Sequence, residues 1–167
     1  MNALTIRILS GLVAGLLLGA LLPMLHLTWQ DGLVSSAEAL GGVAGHAGLF
    51  GTAADVARYL RNCWLAEDSP VLSRAVRAEA LRCQTEGLDG RRGLGWTLRG
   101  DRWDHMSTVW PRTGAGHTGF TGTSVAFDPV SGLWAVLLTN AVHLGRGRSG
   151  IVPLRRQVHD ALALGTL

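Results

Sequence analysis

The segment that most constrains this chain is Gly114-Ala115-Gly116-His117-Thr118-Gly119-Phe120-Thr121-Gly122-Thr123-Ser124, where glycine recurs at every second or third position before the alternating stretch Ser124 to Asp128 begins. Glycines at that spacing let a backbone lie close against a ligand or another strand. The His-Thr pair adds a ring nitrogen and a hydroxyl beside exposed N–H groups, which describes one wall of an active site. It does not describe a whole one. All 15 basic residues are arginine, so the chain has no lysine, and no nucleophile motif is recognisable.

Upstream of this run the apolar pattern is helical. Thr52-Ala-Ala-Asp55 is a capping-box-like start. Val56, Tyr59, Leu60, Cys63 and Trp64 follow as one apolar stripe, which places Tyr59 in a core. Ser69-Pro70 predicts a second start, with Leu72, Val76, Ala80 and Cys83 down one face as far as Gly87. The turn cluster Gly87 to Gly93 ends the helical region. Beyond it the period becomes strand-like over Leu94–Leu98, His117–Thr118, Thr123–Phe127 and Trp134–Thr139. Asp128-Pro129-Val130-Ser131-Gly132 predicts a hairpin between the last two strands. A helix from about Ile151 to Leu164 closes the chain, with Ile151, Leu154, Val158, Ala161 and Leu162 as its buried stripe. Helices, a meander and a covering helix make an α+β arrangement.

The N-terminus is of another kind. Ile8 to Leu27 is almost wholly apolar, interrupted by Ser10 and His26, and matches the hydrocarbon thickness of a bilayer. It reads as a transmembrane anchor or a signal peptide, within an N-terminal segment of residues 1–30 that precedes one domain at 31–167. Arg7 places the N-terminus in the cytoplasm and the rest outside. If this segment is foreign to the gene, the remainder is cytoplasmic. Gly11, Gly15 and Gly19 put small residues on one helix face, where another helix could pack. Cleavage after a small-x-small site at Ser35 and Ala37 would lie far beyond the apolar core.

The formal charge of +3 is spread along the chain and gives no nucleic-acid surface. Cys63 and Cys83 have no His or Cys at metal-ligand spacing, so no metal site and no cofactor is expected. They are either two buried thiols or one disulfide. No metalloprotease helix motif, phosphate loop or paired carboxylate is present. Gly147-Arg-Ser149-Gly150 lacks the strand-Ser-helix setting and the second glycine of a nucleophile elbow.

His117-Thr118-Gly119, followed by Phe120-Thr-Gly-Thr-Ser124 and Val125-Ala-Phe-Asp-Pro129, resembles the third motif of the β-lactamase-related serine hydrolases. In that superfamily of class C β-lactamases, penicillin-binding-protein-like peptidases and esterases, the motif reads Lys-Thr-Gly or His-Thr-Gly. Ala39 to Phe50, Gly93-Leu-Gly-Trp96 and Leu133 to Asn140 extend the likeness, in order, over about residues 38 to 163. The resemblance implies the C-terminal part of a β-lactamase-like fold and serine acyl-enzyme hydrolysis of an ester, amide, peptide or β-lactam. It assigns the backbone N–H of Phe120 to an oxyanion hole, and Thr118, with Gly119, to a substrate carboxylate or carbonyl. His117 stands in the lysine position, where it is a catalytic imidazole or a structural strand histidine. Asn140 orients substrate or caps its strand, and His46 reads as structural.

The family's S-x-x-K and Tyr-x-Asn motifs are absent from these residues, since the single tyrosine, Tyr59, is followed by Leu60 and Arg61. A serine hydroxyl without an adjacent base is a poor nucleophile, so the resemblance implies a truncated hydrolase inactive alone. The alternative is a non-catalytic, membrane-anchored interaction module that self-associates through an open edge of the strand Trp134–Thr139. Residues 4–23 also resemble the start of a sodium:dicarboxylate symporter, although one membrane segment cannot build a translocation path.

Overall fold

The computed structural model describes residues 39–42, 49–143 and 150–165. The chain divides into two compact units, Met1–Thr52 and Ala53–Leu167. The apolar run 8–27, His46 and Ser149 lie outside the described residues. Among the described residues no helix is long and apolar enough to cross a membrane.

The second unit is built on a four-stranded antiparallel sheet in the order β1 (Thr97–Leu98), β2 (Ala115–Thr118), β3 (Ser124–Phe127) and β4 (Trp134–Leu137). This is the expected meander. Register pairs His117 with Val125, Thr118 with Ser124, and Phe127 with Trp134. The β3–β4 connection is a hairpin because Asp128 organises it. Its carboxylate accepts from Ser131 N (2.7 Å), from Ser131 Oγ (2.6 Å) and from the Thr113 hydroxyl. Burial pushes that carboxyl upward, but the Ser131 and Thr113 hydrogen bonds outweigh it and hold the group below its ordinary value. Among the described residues β4 is paired on one side only, with β3.

Side chains alternate across the strands, so each face receives its own cover. Helix α1 (Ala53–Tyr59) runs directly into a π-helical segment, Leu60–Leu65. Its wider i→i+5 turn changes the angular step, bringing Leu60, Cys63 and Trp64 inward. Tyr59, expected in the core, is 47% exposed at the junction.

Helix α2 (Arg74–Leu81) starts later than Ser69-Pro70 predicts. Ser73 is its N-cap, accepting from Val76 N at 3.2 Å, while Ser69 Oγ closes a separate turn onto Val71 N and Leu72 N. In this helix Val76 faces outward and Arg77 and Ala80 inward, and Cys83 lies beyond the helix end. Arg77 donates to Trp64 O (3.3 Å), Glu67 O (2.8 Å) and Ala66 O, which satisfies carbonyls at the end of the π-helical segment. Both cysteines are free.

On this side of the sheet Leu60, Trp64, Trp96, Leu98, Ala115 and Phe127 form the core. Ring centroids of Trp64 and Trp96 lie 5.1 Å apart, and those of Trp96 and Phe127 4.9 Å, both edge to face. On the other side Met106, Trp110, Ala126 and Ala135 meet helix α3 (Ile151–Ala163). Its innermost residues are Arg155 and His159, whereas Leu154, expected on the stripe, is exposed.

Candidate active site

The motif strand β2 delivers its residues to two places. Ala115 belongs to the aromatic core and Gly116 is pressed against the His105 ring, where an added Cβ would overlap that ring and Val125 O. His117 is exposed beyond Ala115, and Thr118, half-buried, sits opposite Ser124. Successive residues of a strand point to opposite faces, so His117 and Thr118 reach a common ligand only at the strand end, where the turn begins.

That turn is tightly specified. Gly119 N donates to Thr123 O (2.8 Å) and Gly122 N to Gly119 O (3.0 Å), leaving Phe120 and Thr121 at the apex. Phe120 is 48% exposed there. Gly122 has φ +95°, and a Cβ on it would collide with Thr139 Oγ1, Ala141 Cβ and Ile151 Cδ1, so glycine is required on two grounds. Thr139 Oγ1 (3.0 Å) and Ala141 N (2.7 Å) both donate to Thr121 O. Asn140 lies between these two donors, exposed beside the turn. The structure therefore brings Phe120, Gly119 and Asn140 into one neighbourhood, with His117 and Thr118 at its edge.

The underside of the turn is held by a residue that the apolar periodicity hides. Arg155 donates from Nε to Gly122 O (2.9 Å), and from Nη2 to Gly119 O (3.0 Å) and Thr123 O (3.1 Å). One helical turn on, His159 Nδ1 faces His105 O (3.2 Å) and its Nε2 faces Ser124 Oγ (3.5 Å). A ring nitrogen opposite a carbonyl must carry hydrogen, so His159 is protonated at Nδ1 and accepts at Nε2. By the same rule His105 donates from Nε2 to Val125 O at 2.8 Å. Burial drives His105 down to about 4 and holds His159 below the ordinary histidine value. Ser124 and His159 are a serine-histidine pair, but both are sealed between sheet and helix, so they do structural work.

Arg155, His159 and His105 were missed because an arginine and a histidine four apart on a covering helix look like its wet face. The available signal is the series Ile151, Arg155, His159, Leu162, which keeps helical spacing along one side. Among the described residues no three His, Cys, Asp or Glu are grouped to hold a metal ion.

A family model described as Beta-lactamase matches residues 20–159. A provisionally named D-alanyl-D-alanine carboxypeptidase of Escherichia coli (strain K12) is 34% identical over an alignment of 113 residues that covers 62% of this chain and 25% of that protein. Its namesake in Salmonella gallinarum is 34% identical over 120 residues, with the same two coverages. The crystal structure of a β-lactamase from Mycobacterium bovis superposes with a TM-score of 0.59 at 25% identity, covering 78% of this chain and 54% of that one. The chain thus spans a quarter of the length of these curated relatives.

Proposed function

This chain belongs to the β-lactamase family, and from that premise we propose that it supplies one wall of a serine-hydrolase site and that residues 1–167 alone do not acylate. The observation that carries the reading is the Gly119–Thr123 turn. Its carbonyls are bonded from beneath and from the side, while Phe120 stands at the apex next to Asn140. In this reading the Phe120 N–H stabilises the oxyanion, a contribution of roughly 3 kcal/mol in a complete site. Thr118, Gly119 and Asn140 engage a carboxylate or carbonyl of the substrate, and His117 works beside the reacting bond. The names of the relatives point to peptides ending in D-alanine as the substrate class. In this reading the apolar run of residues 8–27, preceded by Arg7, serves as a membrane anchor that leaves the remainder outside.

The nucleophile and its base come from outside these residues. No lysine is available to activate a serine, and Tyr59 opens no Tyr-x-Asn motif. The full chain should remain unlabelled by a fluorescent penicillin or a fluorophosphonate. A chimera in which it replaces the matching quarter of the Escherichia coli relative should be labelled. Stoichiometric labelling of the chain alone would sink the reading, as would a folded chimera that stays unlabelled.

A second reading, a non-catalytic interaction module, draws on β4, which among the described residues pairs only with β3. It expects the chain to dimerise in light scattering even when residues 1–30 are deleted. A monodisperse monomer counts against it.

A further inference from the structure

The buried guanidinium of Arg155 does an unusual job for a charged group. It is 8% exposed, and among the described residues it makes no ion pair and its side-chain hydrogen bonds all go to carbonyl oxygens of a single turn. Burying a charge without a carboxylate is costly unless its donors are well placed, so a side chain kept this way is held for its geometry. The planar fork suits three convergent acceptors, which the compact ammonium of a lysine cannot match.

Those acceptors are Gly119 O, Gly122 O and Thr123 O. A carbonyl and the following N–H belong to one rigid peptide plane. Gly119 O shares its plane with Phe120 N–H, so pulling the oxygen toward α3 turns that N–H the opposite way, away from the helix. Gly122 O and Thr123 O fix the planes that close the turn back into β3.

We propose that Arg155 is a positioning residue that sets the direction of the Phe120 N–H by anchoring the carbonyl side of the Gly119–Thr123 turn. The functional meaning of this rests on the preceding reading, in which that N–H meets the oxyanion. The mechanical claim stands by itself and can be tested on the full chain. Because Arg155 is in α3, docking of that helix and order in the turn are one equilibrium.

The test compares wild type with Arg155→Lys, Arg155→Ala and the neighbouring exposed control Arg156→Ala by amide hydrogen exchange. Loss of the fork should raise exchange of the 119–124 peptide by at least about tenfold. Exchange across 134–137 should change less than about twofold. Millimolar methylguanidinium should restore protection in Arg155→Ala, and Arg156→Ala should behave as wild type. Unchanged exchange at 119–124 would overturn the proposal. So would a uniform rise across β2 to β4 without rescue, which marks Arg155 as ordinary core. If Arg155→Ala does not fold, Arg155→Lys decides by the same local-against-uniform comparison. Failure of the penicillin-labelled chimera would strike the oxyanion reading and leave this result standing.

Discussion

The two faces of one sheet are held by different means. Against α1, the π-helical segment and α2, the sheet presents a dry cluster in which Trp96 meets Trp64 and Phe127 edge to face and those two rings meet each other at a tilt. Against α3 it presents Gly116 to the His105 ring and Ser124 to His159, which faces His105 O, while Arg155 hydrogen-bonds the carbonyls of the adjoining turn. Apolar contact is non-directional, so the first face can secure the sheet but cannot aim a peptide group. Hydrogen bonds are directional, and the second face uses them to shape the turn that carries Phe120. One face provides cohesion alone, and the other adds geometry to the apolar contacts of Met106 and Trp110.

The largest expected effect lies on the dry face. Phe127 is fully buried and touches both tryptophans, so Phe127→Ala should cost about 3–5 kcal/mol in urea unfolding. A loss under about 1 kcal/mol would mean that the cohesion lies elsewhere. The polar face should announce itself through pH. His105 titrates near 4 when folded against about 6.5 when unfolded, so between these values the unfolded chain binds more protons and stability rises with pH. His159 shifts in the same direction. Arg155 opposes protonation of both rings, while Asp104 and Asp160 favour it on His159. The His105 contribution, about 3 kcal/mol at most, is present above pH 6.5 and lost as pH falls toward 4. His105→Gln retains a donor for Val125 O and should flatten the slope over that window. An unchanged slope would remove His105 from the account.

The same contrast explains what could be read from residues alone. The meander, the hairpin at Asp128 and the covering helix were legible because Gly, Pro and Asp punctuate strands of period two. The family motif was legible because its glycines are needed locally, as Gly122 shows. Burial on the helices was harder. A π-helical turn displaced Tyr59, and the capping serine was Ser73 rather than Ser69. The support of the candidate site was hidden most deeply, since Arg155 and His159 are buried through hydrogen bonds to backbone groups that no periodicity encodes.

Helix α2 allows the smallest-scale form of this comparison, between neighbours. Arg77 is buried and bonds three carbonyls around the end of the π-helical segment, so Arg77→Met should cost about 2–3 kcal/mol by leaving them unpaired. Val76, one position before it, belongs to the apolar stripe but is 51% exposed. Val76→Ser should therefore change stability by no more than about 0.5 kcal/mol, within the range of surface substitutions. Urea midpoints of the two variants, measured side by side, rank the residues. If Val76→Ser proved the costlier, the helix would be rotated so that its apolar stripe, and not its arginine, faces the core.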